Sequence, residues 1–207
     1  MREALDAMAF AACLSLALAC ETVGGAAPVA PAAERRDWSE PPDFAALRAE
    51  YGARDDFDAR CEVDRPLRRA YGQMQAEAWS DLLALAEPWA QRCPVDLEAH
   101  MLCAIALEQS GRTEEADAHR SWVRGLFESV LATGDGKTPE TAYRVIAVFE
   151  EYAMLRMFRW EPKQQALVAQ GIDAMTVDAE GEERVVYFDP AASFARMRKQ
   201  FEARAQE

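Results

Sequence analysis

Beyond residue 43, apolar side chains recur at helical spacing along most of the chain. Phe44, Leu47 and Tyr51 share one face of a short helix predicted over Asp43–Arg54. A loop carrying Cys61 follows. Asp64 then reads as a helix cap with Pro66 in the first turn, and the helical pattern runs on to about Arg92, interrupted at Gly72 and kinked or ended at Pro88. Cys93-Pro94-Val95-Asp96 makes a turn. The next stretch, LEAHMLCAIALEQ, is apolar nearly all round, the pattern of a helix sandwiched between neighbours. Ser110-Gly111-Arg112 ends it. Thr113 is expected to cap a further helix whose stripe is Trp122, Val123, Leu126, Phe127, Val130 and Leu131.

After ATGDGKTPE the pattern predicts a helix from Pro139 to about Arg159, capped by Thr138 with proline in its first position. Residues 172–178 and 184–188 then switch to strand-like composition around Ala179-Glu180-Gly181-Glu182, a predicted β-hairpin. A last helix carries Phe194, Met197 and Phe201 on one face. Pro94, Ala104, Gly111 and Ala116 sit at spacings that resemble one tetratricopeptide repeat, in which small residues let two antiparallel helices approach closely. A superhelical array needs about three such repeats. The expected fold is therefore mainly α: tetratricopeptide-like helical hairpins with a small C-terminal β-hairpin and a terminal helix, in one domain over residues 43–206.

The N-terminal segment follows different rules. Residues 7–19 (AMAFAACLSLALA) form an apolar run too short for the roughly 20 residues of a spanning helix but of the right length for the core of a secretory signal. Ala17 and Ala19 satisfy the small-residue rule for cleavage. The stretch LALAC also looks like a lipobox, in which Cys20 would become the lipid-attachment residue. Arg2 is offset by Glu3 and Asp6, so the segment lacks the usual positive start, and the competing reading is a buried N-terminal helix of a cytosolic protein. Residues 1–19 are read as a signal peptide and residues 20–42 as a disordered Ala/Pro-rich tether: no apolar period organises it, and it holds four of the chain's ten prolines. The expected location is exported, membrane-anchored and facing the periplasm or the outside, with a soluble periplasmic form as the alternative.

Composition narrows the partners. With 23 basic and 36 acidic residues the net charge is −13, which repels nucleic acid and anionic lipid headgroups, and no basic run counters it. No nucleic-acid partner is expected, and the membrane is expected to be met through a lipid anchor only. Of the cysteines, Cys61, Cys93 and Cys103 fall within the domain. An oxidising compartment permits one disulfide from Cys61 to either of the others, and all three also fit as small buried hydrophobes.

The segment SVLATGDGKTPETAYRVIAVFEEYAML, with Gln165-Ala166-Leu167 and Tyr187-Phe188 after it, resembles the domain-of-unknown-function 4919 family of exported bacterial proteins. The similarity extends upstream through Arg65-Pro66-Leu67 and the Pro94…His100 helix, covering residues 43–190. That resemblance implies architecture and export and supplies no chemistry.

Candidate chemistry is sparse. Gly134-Asp135-Gly136-Lys137-Thr138 lacks the first glycine of a phosphate loop, with Leu131 in its place, and follows a helix instead of a strand. It reads as a helix end, a turn and the next helix cap, with Asp135 as a possible binding group. On a helical wheel Glu150 falls among Tyr143, Ile146, Met154 and Met157. It is expected to be buried, paired with an arginine such as Arg124 or Arg65 or else free to act as an acid or base. Glu151 is expected to face outward with Arg144. His119 and the His100-x-x-Cys103 pair sit on adjacent helices and would make part of a zinc site, but no fourth ligand is evident, and core histidines are the simpler reading. No metal or cofactor is assigned. The function expected is a non-enzymatic envelope module that binds a protein or peptide. The alternative is a hydrolase or metal-dependent enzyme with a site near Asp135 and Glu150.

Overall fold

In the computed structural model, which describes residues 36–168 and 171–205, packing begins earlier than the sequence pattern does. Trp38, placed by composition in the tether, is a core residue. Its indole N–H donates to Glu87 at 3.1 Å and its carbonyl accepts from the Trp122 indole at 2.9 Å. The signal-like segment and Cys20 lie outside the described residues.

The helical layer holds α1 (Phe44–Gly52), α2 (Leu67–Gln75), α3 (Trp79–Arg92), α4 (Leu97–Gln109) and α5 (Thr113–Leu131). Asp43 caps α1 and Asp96 caps α4, each side chain accepting from backbone N–H groups that the first turn would otherwise leave unpaired. α4 is the central element. Nine of its thirteen residues are buried, Glu98 and His100 among them, as its largely apolar character requires. A disulfide joins Cys61, in a single π-type turn (Asp58–Glu62), to Cys93 at the end of α3.

Some local expectations are corrected. Asp64 does not cap α2; it adopts a left-handed φ of 60° and its carbonyl accepts from Arg92. The helix break falls between Gln75 and Trp79, not at Gly72, and α3 continues through Pro88. Thr113 starts α5 without a side-chain cap.

The largest difference follows α5. A helix from Pro139 to Arg159 is replaced by one 3-10 turn (Pro139–Thr141), a two-residue strand β1 (Tyr143–Arg144) and a shorter helix α6 (Val148–Phe158). The reason is tertiary. β1 pairs in parallel with β4 (Glu182–Asp189), matching Tyr143 to Phe188 and Arg144 to Asp189, and Val145 N–H continues the ladder to the Asp189 carbonyl. The expected hairpin is present as β3 (Ile172–Ala179) and β4. A further strand, β2 (Glu161–Val168), completes a sheet of order β1-β4-β3-β2. β2 was not expected, because every residue in it is exposed and its sequence carries no alternation. The inner sheet face (Met175, Val177, Val186, Phe188) packs on Val130, Met154 and Leu155.

The chain closes on α7 (Ala191–Arg204). Its apolar face is not what anchors it: Met197 and Phe201 are exposed, and the buried residue is Arg196. That guanidinium donates to the carbonyls of Gly52 and Ile146 and lies 3.9 Å from the Phe57 ring centroid. Among the described residues, no helix is long and apolar enough to cross a membrane.

Candidate functional site

The two acidic residues singled out by sequence occupy different environments. Asp135 is exposed in the turn after α5. Its carboxylate accepts from Thr141 Oγ1 at 2.6 Å and from Lys137 N–H at 3.1 Å, and these bonds hold it below the usual carboxylate range. Gly136 takes a φ of 64° beneath the Tyr143 ring, a position a side chain would not fit, and its carbonyl accepts from Tyr187 N–H. The loop is thus closed on itself and on β4.

Glu150 is buried at the start of α6, where a carboxylate suits the helix dipole. Its partner is Arg48 of α1, not Arg124 or Arg65, joined by two hydrogen bonds of 2.9 Å. Glu150 also accepts from Ile146 N–H at 2.8 Å. Among the described residues, Asp135 and Glu150 share no hydrogen-bond partner.

Glu151, expected outside, is fully buried. Neither of its oxygens has a hydrogen-bond partner in the described residues. Burial first, then the neighbouring Asp173 carboxyl, pushes it up to about 9, so it holds its proton at neutral pH. α6 lies between the helical layer and the sheet, so neighbouring positions on it are both enclosed; a wheel drawn for one partner surface places Glu151 wrongly.

The sequence treated His119, His100 and Cys103 as core residues or as part of a metal site. The structure brings them together with Glu87 of α3, which sequence reading missed. His119 Nε2 is 3.3 Å from Glu87 Oε2, and Cys103 Sγ is 3.9 Å from the same oxygen. The ligating atoms of Glu87, Cys103 and His119 all lie within 4.8 Å of one another. His100 Nδ1 is 2.9 Å from His119 Nδ1, and His100 Nε2 is 3.1 Å from the Pro94 carbonyl. The other Glu87 oxygen accepts from Trp38 Nε1 and Gln91 Nε2, each at 3.1 Å. Burial raises the Glu87 carboxyl, but hydrogen bonds from His119, Gln91 and Trp38 outweigh it and hold Glu87 at about 2. Burial, with His119 beside it, lowers His100 to about 3, and burial pushes the Cys103 thiol well up.

Glu87 has no local signature in the sequence. It becomes significant only because α3 packs against α4 and α5 with Trp38 laid across them. Glu87 and His119 line a cleft of about 770 Å³ whose walls include Leu83, Ser110 and Arg112. Pro88 cannot donate to the Ala84 carbonyl, and both residues also face this cleft.

A helical-hairpin body carrying a four-stranded sheet, with a His–Glu–Cys cluster under a surface cleft, describes the class of protein this is. The chain belongs to the family described as Domain of unknown function (DUF4919), whose family model matches residues 43–199. No curated protein and no solved structure matches it.

Proposed function

We propose that this is an exported envelope protein, anchored through a lipid on Cys20, that binds a protein or peptide without catalysing a reaction. The cleft between α3 and α5 carries the binding reading. It is open to solvent, its apolar wall (Leu83, Leu107, Ala118) lies beside charged groups of both signs (Arg36, Glu114), and it is large enough for several side chains. Export is supported by the Cys61–Cys93 disulfide, which an oxidising compartment sustains, together with the short apolar run ending at Cys20. The competing reading, a hydrolase or metal-dependent enzyme near Asp135 and Glu150, lacks a supporting arrangement: one group is tied into a surface turn and the other is neutralised by Arg48.

Two measurements in intact cells test the proposal. Cys20→Ser moves the protein from the membrane to the soluble exported fraction, whereas a chain retaining Met1 in the cytosol overturns the envelope assignment. A photo-crosslinking residue at Ser80 or Ser110 in the cleft gives a discrete adduct that the same probe at Glu202 does not. Silence at both cleft positions removes the binding reading.

A further inference from the structure

The polar chain under the cleft fixes a tautomer. The Pro94 carbonyl can only accept, so His100 presents Nε2–H to it. A neutral His100 then carries its lone pair on Nδ1, which faces His119 Nδ1 at 2.9 Å, and His119 must donate from that atom. Neutral His119 is left with its lone pair on Nε2, aimed at the Glu87 carboxylate only 3.3 Å away. A proton or a metal ion held on Nε2 joins the two groups at that separation, and Cys103 supplies a soft ligand for a metal on the same side.

We propose that Glu87, Cys103 and His119 form a zinc site, with a fourth coordination position open to the cleft. In tetrahedral zinc coordination, neighbouring N, O and S ligand atoms stand about 3.3–3.6 Å apart, as metal–ligand bonds of about 2.0–2.3 Å dictate. The separations of 3.3 and 3.9 Å are already close to that geometry. The third pair, Cys103 and His119, stands within 4.8 Å, so a metal of this size enters as these side chains draw together around it. The donor set of thiolate, imidazole and carboxylate favours zinc over magnesium or calcium, which take oxygen ligands.

The surroundings match those of a metal centre. Ligating histidines characteristically donate their other N–H to a fixed acceptor, and ligating carboxylates are themselves hydrogen-bonded. His119 donates to His100, which is locked by Pro94, while Trp38 and Gln91 hold the free oxygen of Glu87. Three protein ligands and one outward position suit a water or a donor atom from whatever enters the cleft. The site is independent of the peptide-binding reading, since zinc uptake is measured without a partner.

The test uses the disulfide-intact exported protein, stripped with chelator and titrated with zinc or cobalt alone. One equivalent binds, and cobalt produces a thiolate charge-transfer band in the near ultraviolet. Cys103→Ala, a small change at a buried position, folds and abolishes that band. Gln91→Met keeps all three ligands and weakens zinc binding by about ten- to a hundredfold through loss of the Glu87 support. Absence of stoichiometric binding by the unmodified protein overturns the proposal, as does a cobalt spectrum without a sulfur ligand. Binding that survives Cys103→Ala unchanged also overturns it. Zinc uptake that fails while cleft crosslinking persists rejects the metal site and leaves the binding module standing.

Discussion

Arg48 of α1 closes on Glu150 of α6 through two parallel hydrogen bonds of 2.9 Å, and both side chains are almost completely withdrawn from water. The same guanidinium donates to the Arg144 carbonyl at 2.9 Å. Residues 102 positions apart thus tie the first helix to the segment that leaves α5 and joins the sheet. Removing one partner leaves the other charged and buried. Glu150→Gln and Arg48→Met are each expected to cost about 3–5 kcal/mol, measured by urea unfolding, with the double change Arg48→Met/Glu150→Leu costing less than their sum. A loss below about 1 kcal/mol for both single variants would show that the pair is not a structural tie.

Glu151 sets a pH dependence. Its carboxyl titrates at about 9 in the folded chain against an ordinary value of 4.5. Between about pH 5 and pH 9 the native state retains a proton that the unfolded state has released, so this group lowers stability as pH rises, by at most about 1.4 kcal/mol per unit. Below about pH 4.5 both states are protonated and the contribution is flat. Glu151→Gln does not titrate, so its stability relative to the parent is expected to climb steadily across that window. An unchanged difference at mildly acidic and mildly alkaline pH contradicts the assignment.

The Cys61–Cys93 disulfide spans 32 positions and pins the loop before α2 to the end of α3. Loop-closure entropy puts its contribution at about 3–4 kcal/mol. Protein in which Cys61 and Cys93 are both changed to serine should unfold at lower urea concentration by that amount. Treating it with reductant should have no further effect, while the parent drops to the same level.

Trp38 packs into the core ahead of α1. It meets Trp122 edge-on at 4.8 Å between ring centroids and lies equally close to His100, at 4.7 Å. Trp38→Ala is expected to cost about 3–5 kcal/mol, the range for truncating a large buried aromatic. A chain starting at Asp43 should show a similar loss. If both melt like the parent, the packed domain begins at α1.

What the sequence by itself determined was local and periodic. The extent of α4 and the β3–β4 hairpin follow from side-chain spacing or turn chemistry within a few residues. Glu150 is buried as expected, although the Pro139–Arg159 helix that placed it among Tyr143 and Ile146 does not form. The family was legible too, because its motifs are contiguous. Only the tertiary structure decided which distant groups meet. Tyr143–Arg144 is helical by local pattern, but β4 offers those residues a ladder, and parallel pairing across the chain overrides the local preference. Arg48 in place of Arg124 or Arg65 as the partner of Glu150, and Glu87 as the companion of His119 and Cys103, depend on how helices pack. No residue near Glu87 in sequence signals that role. A buried charge demands a partner, but its own sequence does not say from which helix that partner comes.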